Sequence, residues 1–142
     1  MISTIAVGTD GSASAAKAVE MAADMARRFD AKLILVSAFQ DSGGAPLDRD
    51  SASEEVQWVF SSSARVREIL DRSAQDLQRA GLECSTLVDE GDPADVLVRL
   101  AMECDADVLV IGNKGMHRRV LGSVPNTVTH KAPCSVFVVK TT

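Results

Sequence analysis

The 142-residue sequence has no tyrosine, one tryptophan and four phenylalanines, so Ala, Val, Leu and Ile must fill any core. Its three cysteines, Cys84, Cys104 and Cys134, are odd in number and far apart, with no Cys-x-x-Cys pair, which excludes a disulfide framework and any recognisable metal spacing. They read as reduced thiols packed like small apolar side chains. No apolar run approaches the ~20 residues needed to span a bilayer. Met1 to Val7 pass straight into a strand pattern, without the basic and then apolar stretch of a secretory signal, so a cytoplasmic location is expected. Positive charge is also scarce. Fifteen Lys and Arg stand against 20 Asp and Glu, a formal net charge of -5, which argues against nucleic acid or an anionic membrane as the main partner.

What is present fits a single α/β domain spanning residues 1–142. Hydrophobic residues make up 46% and charged residues 25%, which excludes a disordered chain, and this length should bury roughly two-thirds of the unfolded surface. Five short apolar runs are expected as strands: Thr4 to Val7, Leu33 to Ala38, Glu83 to Asp89, Val108 to Ile111 and Ser135 to Val139. Several are apolar at consecutive positions, the pattern of parallel strands covered on both faces. The third is more polar and suits an edge. Between them, Ala15, Ala16, Val19, Ala22, Ala23, Ala26 and Phe29 recur at helical spacing behind a possible Ser12 or Ser14 cap. A second helix is expected from about Glu54 to Ala80, with Val59, Val66, Ile69, Leu70 and Leu77 apolar and Gly81 suited to a left-handed C-cap. A third begins at Asp92-Pro93-Ala94-Asp95, and a fourth covers roughly Val124 to His130, ending before Pro133. The alternation calls for a doubly wound, five-stranded parallel sheet with helices on both faces. Gln40 to Ser53 reads as an excursion from the second strand, either a tolerated surface loop or a lid.

Two segments at strand ends carry the chemistry, because ligands in such sheets bind beyond the carboxyl ends of the strands where the strand order reverses. The first is Gly8-Thr9-Asp10-Gly11-Ser12, where Asp10 offers a carboxylate; taken alone it reads sooner as an ordinary strand-to-helix turn with an Asp or Ser cap. The second runs from Gly112-Asn113-Lys114-Gly115 through Met116, His117, Arg118 and Arg119 to Gly122-Ser123. Glycines let backbone N–H groups approach an anion, and Gly122-Ser123 would open a helix whose N-terminus favours phosphate. Lys114, His117, Arg118 and Arg119 concentrate positive charge there, as a polyphosphate would need, although a solvated basic loop is the alternative for the two arginines. The segment is neither a Walker A loop nor Gly-x-Gly-x-x-Gly. His117 and His130 lack a third metal ligand at a suggestive spacing, so phosphate contact and a helix-end role are expected for them. Ser123 lacks the Gly-x-Ser-x-Gly elbow of a hydrolase. A phospho-receiver reading fails because Asp10 stands alone after the first strand.

In these residues the chain resembles the universal stress protein family over nearly its whole length: Val7-Gly8-Thr9-Asp10-Gly11-Ser12, Gly91-Asp92-Pro93, Asp107 to Gly112, Gly122-Ser123-Val124, and Ala132-Pro133-Cys134-Ser135-Val136. The ATP-binding branch of that family carries Gly-x-x-Gly, a nine-residue spacer and Gly-Ser/Thr. Here the spacer, Met116 to Leu121, has six residues. The resemblance implies strand order 3-2-1-4-5. It also implies that Gly112, Asn113, Gly115, Gly122, Ser123 and Val124 face the phosphates and ribose, with Asp10 near the ribose or base and the backbone at Ala38 meeting adenine. Gly8 and Thr9 would flank that site on one side, and Lys114, Met116, His117 and Arg118 on the other. The implied ligand is ATP, with ADP or cyclic AMP as alternatives and magnesium accompanying the phosphates. The implied role is a stress-response sensor or regulator, with slow ATP hydrolysis and a nucleotide-free interaction module as competing readings. A homodimer through the edge strand Ser135 to Val139 is expected as well.

Overall fold

In a computed structural model, residues 1–40, 63–113 and 122–141 are described. Five parallel strands, β1 (Thr4–Gly8), β2 (Lys32–Phe39), β3 (Cys84–Glu90), β4 (Val108–Asn113) and β5 (Ser135–Lys140), form one sheet in the order β3-β2-β1-β4-β5. The expected strands are all present, with ends that differ by a residue or two. One difference matters: Gly112 and Asn113 are not loop residues but the last two positions of β4, paired with Val139 and Lys140 because β5 runs on to meet them. Burial follows sheet position. β1 is buried at every residue and β2 at all but its first, whereas β3 is mostly half-exposed and β5 alternates, as edge strands do.

Four helices lie among the described residues: α1 (Ala13–Phe29), α2 (Ser63–Arg79), α3 (Pro93–Glu103) and α4 (Ser123–Lys131). Right-handed crossovers dictate their sides. The chain winds one way from β1 to β3 and the other way from β3 to β5, so α1 and α2 pack on one face and α3 and α4 on the opposite face. The first face buries Ile5, Val7, Leu33, Leu35 and Val110 against Ala18, Ala22, Ala26, Val66 and Leu70. The second buries Ala6, Ile34, Val36, Leu109 and Ile111 against Val96, Leu97, Leu100 and Val128.

Local chemistry starts and stops each helix. The Ser12 hydroxyl accepts from the Ala15 N–H at 3.1 Å to cap α1, and Asp30, at φ 54, ends it in the left-handed region. The buried stripe of α1 is Ala15, Ala18, Ala22, Ala23 and Ala26; Ala16 falls outside it, a hundred degrees round from Ala15, and Phe29, on the last turn before Asp30, stays 48% exposed. For α2, the part from Glu54 to Ser62, including Val59, lies outside the described residues, as does the excursion beyond Gln40. Val66, Leu70 and Ala74 are buried, Ile69 and Leu77 pack partly against the same core, and Gly81 takes the left-handed conformation at φ 94. In α3 the Asp92 carboxylate accepts from the Asp95 N–H at 3.2 Å, Pro93 occupies the first turn, and Val96, Leu97, Leu100 and Ala101 are buried.

Candidate functional site

The winding reverses between β1 and β4, so their carboxyl ends border the crevice where a ligand of a doubly wound sheet is received. On the β1 side the chain leaves the sheet through Thr9, whose N–H donates to the Val36 carbonyl at 3.0 Å and whose hydroxyl accepts from the Gly11 N–H at 3.1 Å. Gly11 sits at φ 81, a conformation that costs a side chain dearly and suits glycine. Asp10 follows this turn. Its Oδ1 accepts from the Ser12 N–H at 2.8 Å, while Oδ2 is buried with no hydrogen-bond partner among the described residues.

On the β4 side, Gly112 and Asn113 end the strand. A Cβ at Gly112 would come 3.1 Å from Thr141 Cγ2 and 3.8 Å from Ala18 Cβ, so the missing side chain makes room for the chain beyond β5 and for α1. Gly8 plays the same part on the other face, where a Cβ would meet both Leu97 methyls at 3.2 Å. Neither glycine has a positive φ, nor does Gly122, so Gly8 and Gly112 supply space and not left-handed geometry, while a Cβ at Gly122 would make only ordinary contacts. Asn113 is only 1% exposed. Its Oδ1 accepts from the Gly122 N–H at 2.9 Å, which ties the end of β4 to the start of α4, and its Nδ2 is buried without a partner among the described residues.

Gly122 is the N-cap of α4 and provides no side-chain cap. The first turn that follows, Ser123-Val124-Pro125, holds no acidic residue, and Pro125 has no N–H to give. The N–H groups of Ser123 and Val124 therefore carry no hydrogen bond among the described residues, at the positive end of the helix dipole. An anion is the partner such a helix end favours.

The expected site residues divide accordingly. Gly8, Thr9, Asp10, Gly112, Asn113, Gly122, Ser123 and Val124 all lie at the carboxyl ends of β1 and β4 or at the start of α4. Ala38 lies near the end of β2, buried and paired with Asp89. Lys114, Gly115, Met116, His117, Arg118 and Arg119 lie outside the described residues. His130 is in the last turn of α4, at the negative end of its dipole. Asp89, next to last in β3, is engaged: one oxygen accepts from the Glu90 N–H at 2.8 Å and the other from Arg99 at 2.8 Å, which hold its carboxyl below the usual range. Burial pushes the Cys84 thiol up to about 11, which suits a packing role, and desolvation also raises Cys104 and Cys134. Among the described residues no group of three or more His, Cys, Asp or Glu could hold a metal ion.

Three residues escaped the sequence reading. Ser37, fully buried in β2, has a hydroxyl without a hydrogen-bond partner among the described residues, and so has Thr141. Lys17 donates from Nζ to the Thr141 carbonyl at 3.1 Å and so fastens the end of the chain beyond β5 to α1. Ser37 left a signal, a lone hydroxyl inside the apolar run Leu33 to Ala38. The other two left none, because their pairing spans 124 positions.

Comparison with known proteins agrees with this architecture. The sequence profile of the universal stress protein family matches residues 1–140. A universal stress protein of Mycobacterium tuberculosis (strain H37Rv) is 39% identical over 149 residues, covering 98% of this chain and 97% of its own. Among solved structures, a universal stress protein in complex with cAMP is 32% identical, with a TM-score of 0.74 and coverage of 99% and 98%. The universal stress protein of Archaeoglobus fulgidus in complex with dAMP is 26% identical, with a TM-score of 0.70 and coverage of 99% and 100%.

Proposed function

The chain belongs to the universal stress protein family, and from that premise we propose that it binds an adenine nucleotide, ATP in the first place, at the carboxyl ends of β1 and β4, and acts as a stress-response regulator through the nucleotide it holds. The observation that carries this reading is the start of α4, which has no side-chain cap and, among the described residues, no partner for two backbone N–H groups or for the buried Asn113 amide nitrogen beside them. These are donors only, and a phosphate offers acceptors only. The orphaned Asp10 Oδ2 supplies the complementary half, an acceptor for a ribose hydroxyl. Gly122 adds no side chain at the start of α4, and the backbone at Ala38 is the candidate edge for adenine. Lys114, His117 and Arg118 would screen phosphate charge, with magnesium accompanying a polyphosphate.

Cyclic AMP is a second ligand worth weighing, because a structure 32% identical to this chain is a complex with that nucleotide. Calorimetric titration with ATP, ADP and cyclic AMP separates the two, and the absence of heat with all three would refute nucleotide binding. The same reading includes a cytoplasmic homodimer formed through β5, whose outer edge is unpaired among the described residues and whose Phe137 is 41% exposed. Sedimentation that finds only monomer at micromolar concentration would remove the dimer.

A further inference from the structure

The two edges of the sheet are finished differently. In β3 the backbone groups of alternate residues face β2: the Leu33 N–H donates to the Glu83 carbonyl at 2.9 Å, and the Gly91 N–H donates to the Phe39 carbonyl at 2.9 Å. Cys84, Thr86, Val88 and Glu90 therefore turn theirs outward, where no further strand lies among the described residues. Side chains occupy both ends of that outer row. Gln78 of α2 donates from Nε2 to the Cys84 carbonyl at 2.8 Å. At the other end the Asp89 carboxylate accepts from the Glu90 N–H at 2.8 Å, and Arg99 of α3 donates to the Glu90 carbonyl at 3.3 Å while holding Asp89 at 2.8 Å. These helices pack on opposite faces, so the edge is gripped from both sides. In the middle, Thr86 and Val88 keep outward backbone groups without a hydrogen bond among the described residues. At β5 no side chain among the described residues bonds to the strand's backbone, and Lys17 stops at the Thr141 carbonyl just beyond it.

We propose that Gln78, Asp89 and Arg99 guard the β3 edge against strand addition, and that the strand they exclude is β5 of a second copy of this chain. All the strands are parallel, so a copy repeated along the sheet would bring its β5 beside β3 with the same polarity and with the carboxyl ends together. The lengths match, six residues against seven. The charges also invite the contact, because exposed Glu90 would meet exposed Lys140 of the second copy. Such a contact joins unlike surfaces and does not close, so it would run on into a filament. A parallel ladder needs outward N–H and carbonyl groups at successive alternate positions, and the guards leave Thr86 and Val88, too short a run to hold a strand. The edge left open to association is β5. This inference goes beyond the β5 homodimer and stands whether or not that dimer forms.

The test removes the guards in the full chain, as the double variant Gln78→Ala with Arg99→Ala, and follows sedimentation together with hydrogen exchange at the Thr86 and Val88 amides. The wild type should run no larger than a dimer, with both amides exchanging freely. The double variant should self-associate about tenfold or more tightly, form species larger than a dimer, and protect both amides in them. Adding Phe137→Lys, which puts a charge on β5, should abolish those species. A folded double variant with wild-type sedimentation and open Thr86 and Val88 amides would overturn the guard role. So would a wild type that already forms larger species with these amides protected. Larger species that survive Phe137→Lys would overturn β5 as the excluded strand. Should the double variant fail to fold, Gln78→Met, which keeps the length of the side chain and removes its donor, decides alone: it must raise self-association and protect Thr86, or the proposal falls. A monomeric wild type would remove the β5 dimer and leave this test standing.

Discussion

The starts of α3 and α4 are the same kind of structure used in opposite ways. Both helices follow a strand of the same sheet, begin at its carboxyl end and pack against the same core cluster. In α3, Asp92 caps the helix, Pro93 removes a donor and Asp95 adds negative charge to the first turn. That leaves one N–H, of Ala94, without a hydrogen bond among the described residues, in a first turn that already carries negative charge. In α4 the cap is a glycine without a side chain, the first turn holds no acid, and the N–H groups of Ser123 and Val124 carry no hydrogen bond among the described residues. The fold delivers two positive helix ends to one rim of the sheet, and the choice of two or three local residues makes one a stable cap and leaves the other open to a ligand.

The largest effect expected from breaking this contrast comes at Gly122. A Cβ there would lie 3.4 Å from Asn113 Oδ1 and 3.6 Å from Pro125 Cδ, which is ordinary contact, and φ is -61, so Gly122→Ala should fold and bind nucleotide within a few-fold of wild type. Gly122→Glu gives α4 the acidic start that α3 already has, and should weaken ATP by roughly tenfold to a hundredfold in calorimetry. Asp92→Ala attacks the other side of the contrast. It should lower stability by about 1 kcal/mol in urea unfolding without changing nucleotide affinity, because the lost bond is a cap. Smallest is an effect at the opposite end of the sheet. There Asp107 accepts from the Ser3 and Thr4 N–H groups at 2.8 Å and 3.0 Å, which lower its pKa from 3.8. A depressed carboxyl contributes stability above its unfolded value and loses it as pH falls through the folded one. Asp107→Asn should therefore flatten the fall in stability below about pH 4, measured by thermal unfolding across pH, by a modest amount for so exposed a group.

The parts of this molecule legible in its sequence are those governed by near neighbours. Asp92-Pro93-Ala94-Asp95 announces a helix start because cap and capped residue are three positions apart. The apolar runs of β1, β2 and β4 announce central strands because each residue reports its own burial, and the polar Glu83 to Asp89 segment announces an edge for the same reason. The candidate site was readable as glycines and an open helix start, but the reason for those glycines was not. Gly112 answers to Thr141, Gly8 to Leu97, and Asn113 to Gly122, and none of these pairs has a sequence periodicity to betray it. Ala16 and Phe29 share the helical spacing of the buried alanines yet stay exposed, because spacing alone fixes neither which arc faces the sheet nor where the helix runs past its neighbours.

On the proposed reading, phosphate is held at the start of α4 and not at the start of α3. The most direct measurement is backbone amide NMR during titration with ATP and, separately, with adenosine. The Ser123 and Val124 amides should shift with ATP and much less with adenosine, while Ala94 and Asp95 stay in place. Equal shifts with adenosine, or shifts confined to Ala94 and Asp95, would contradict the account.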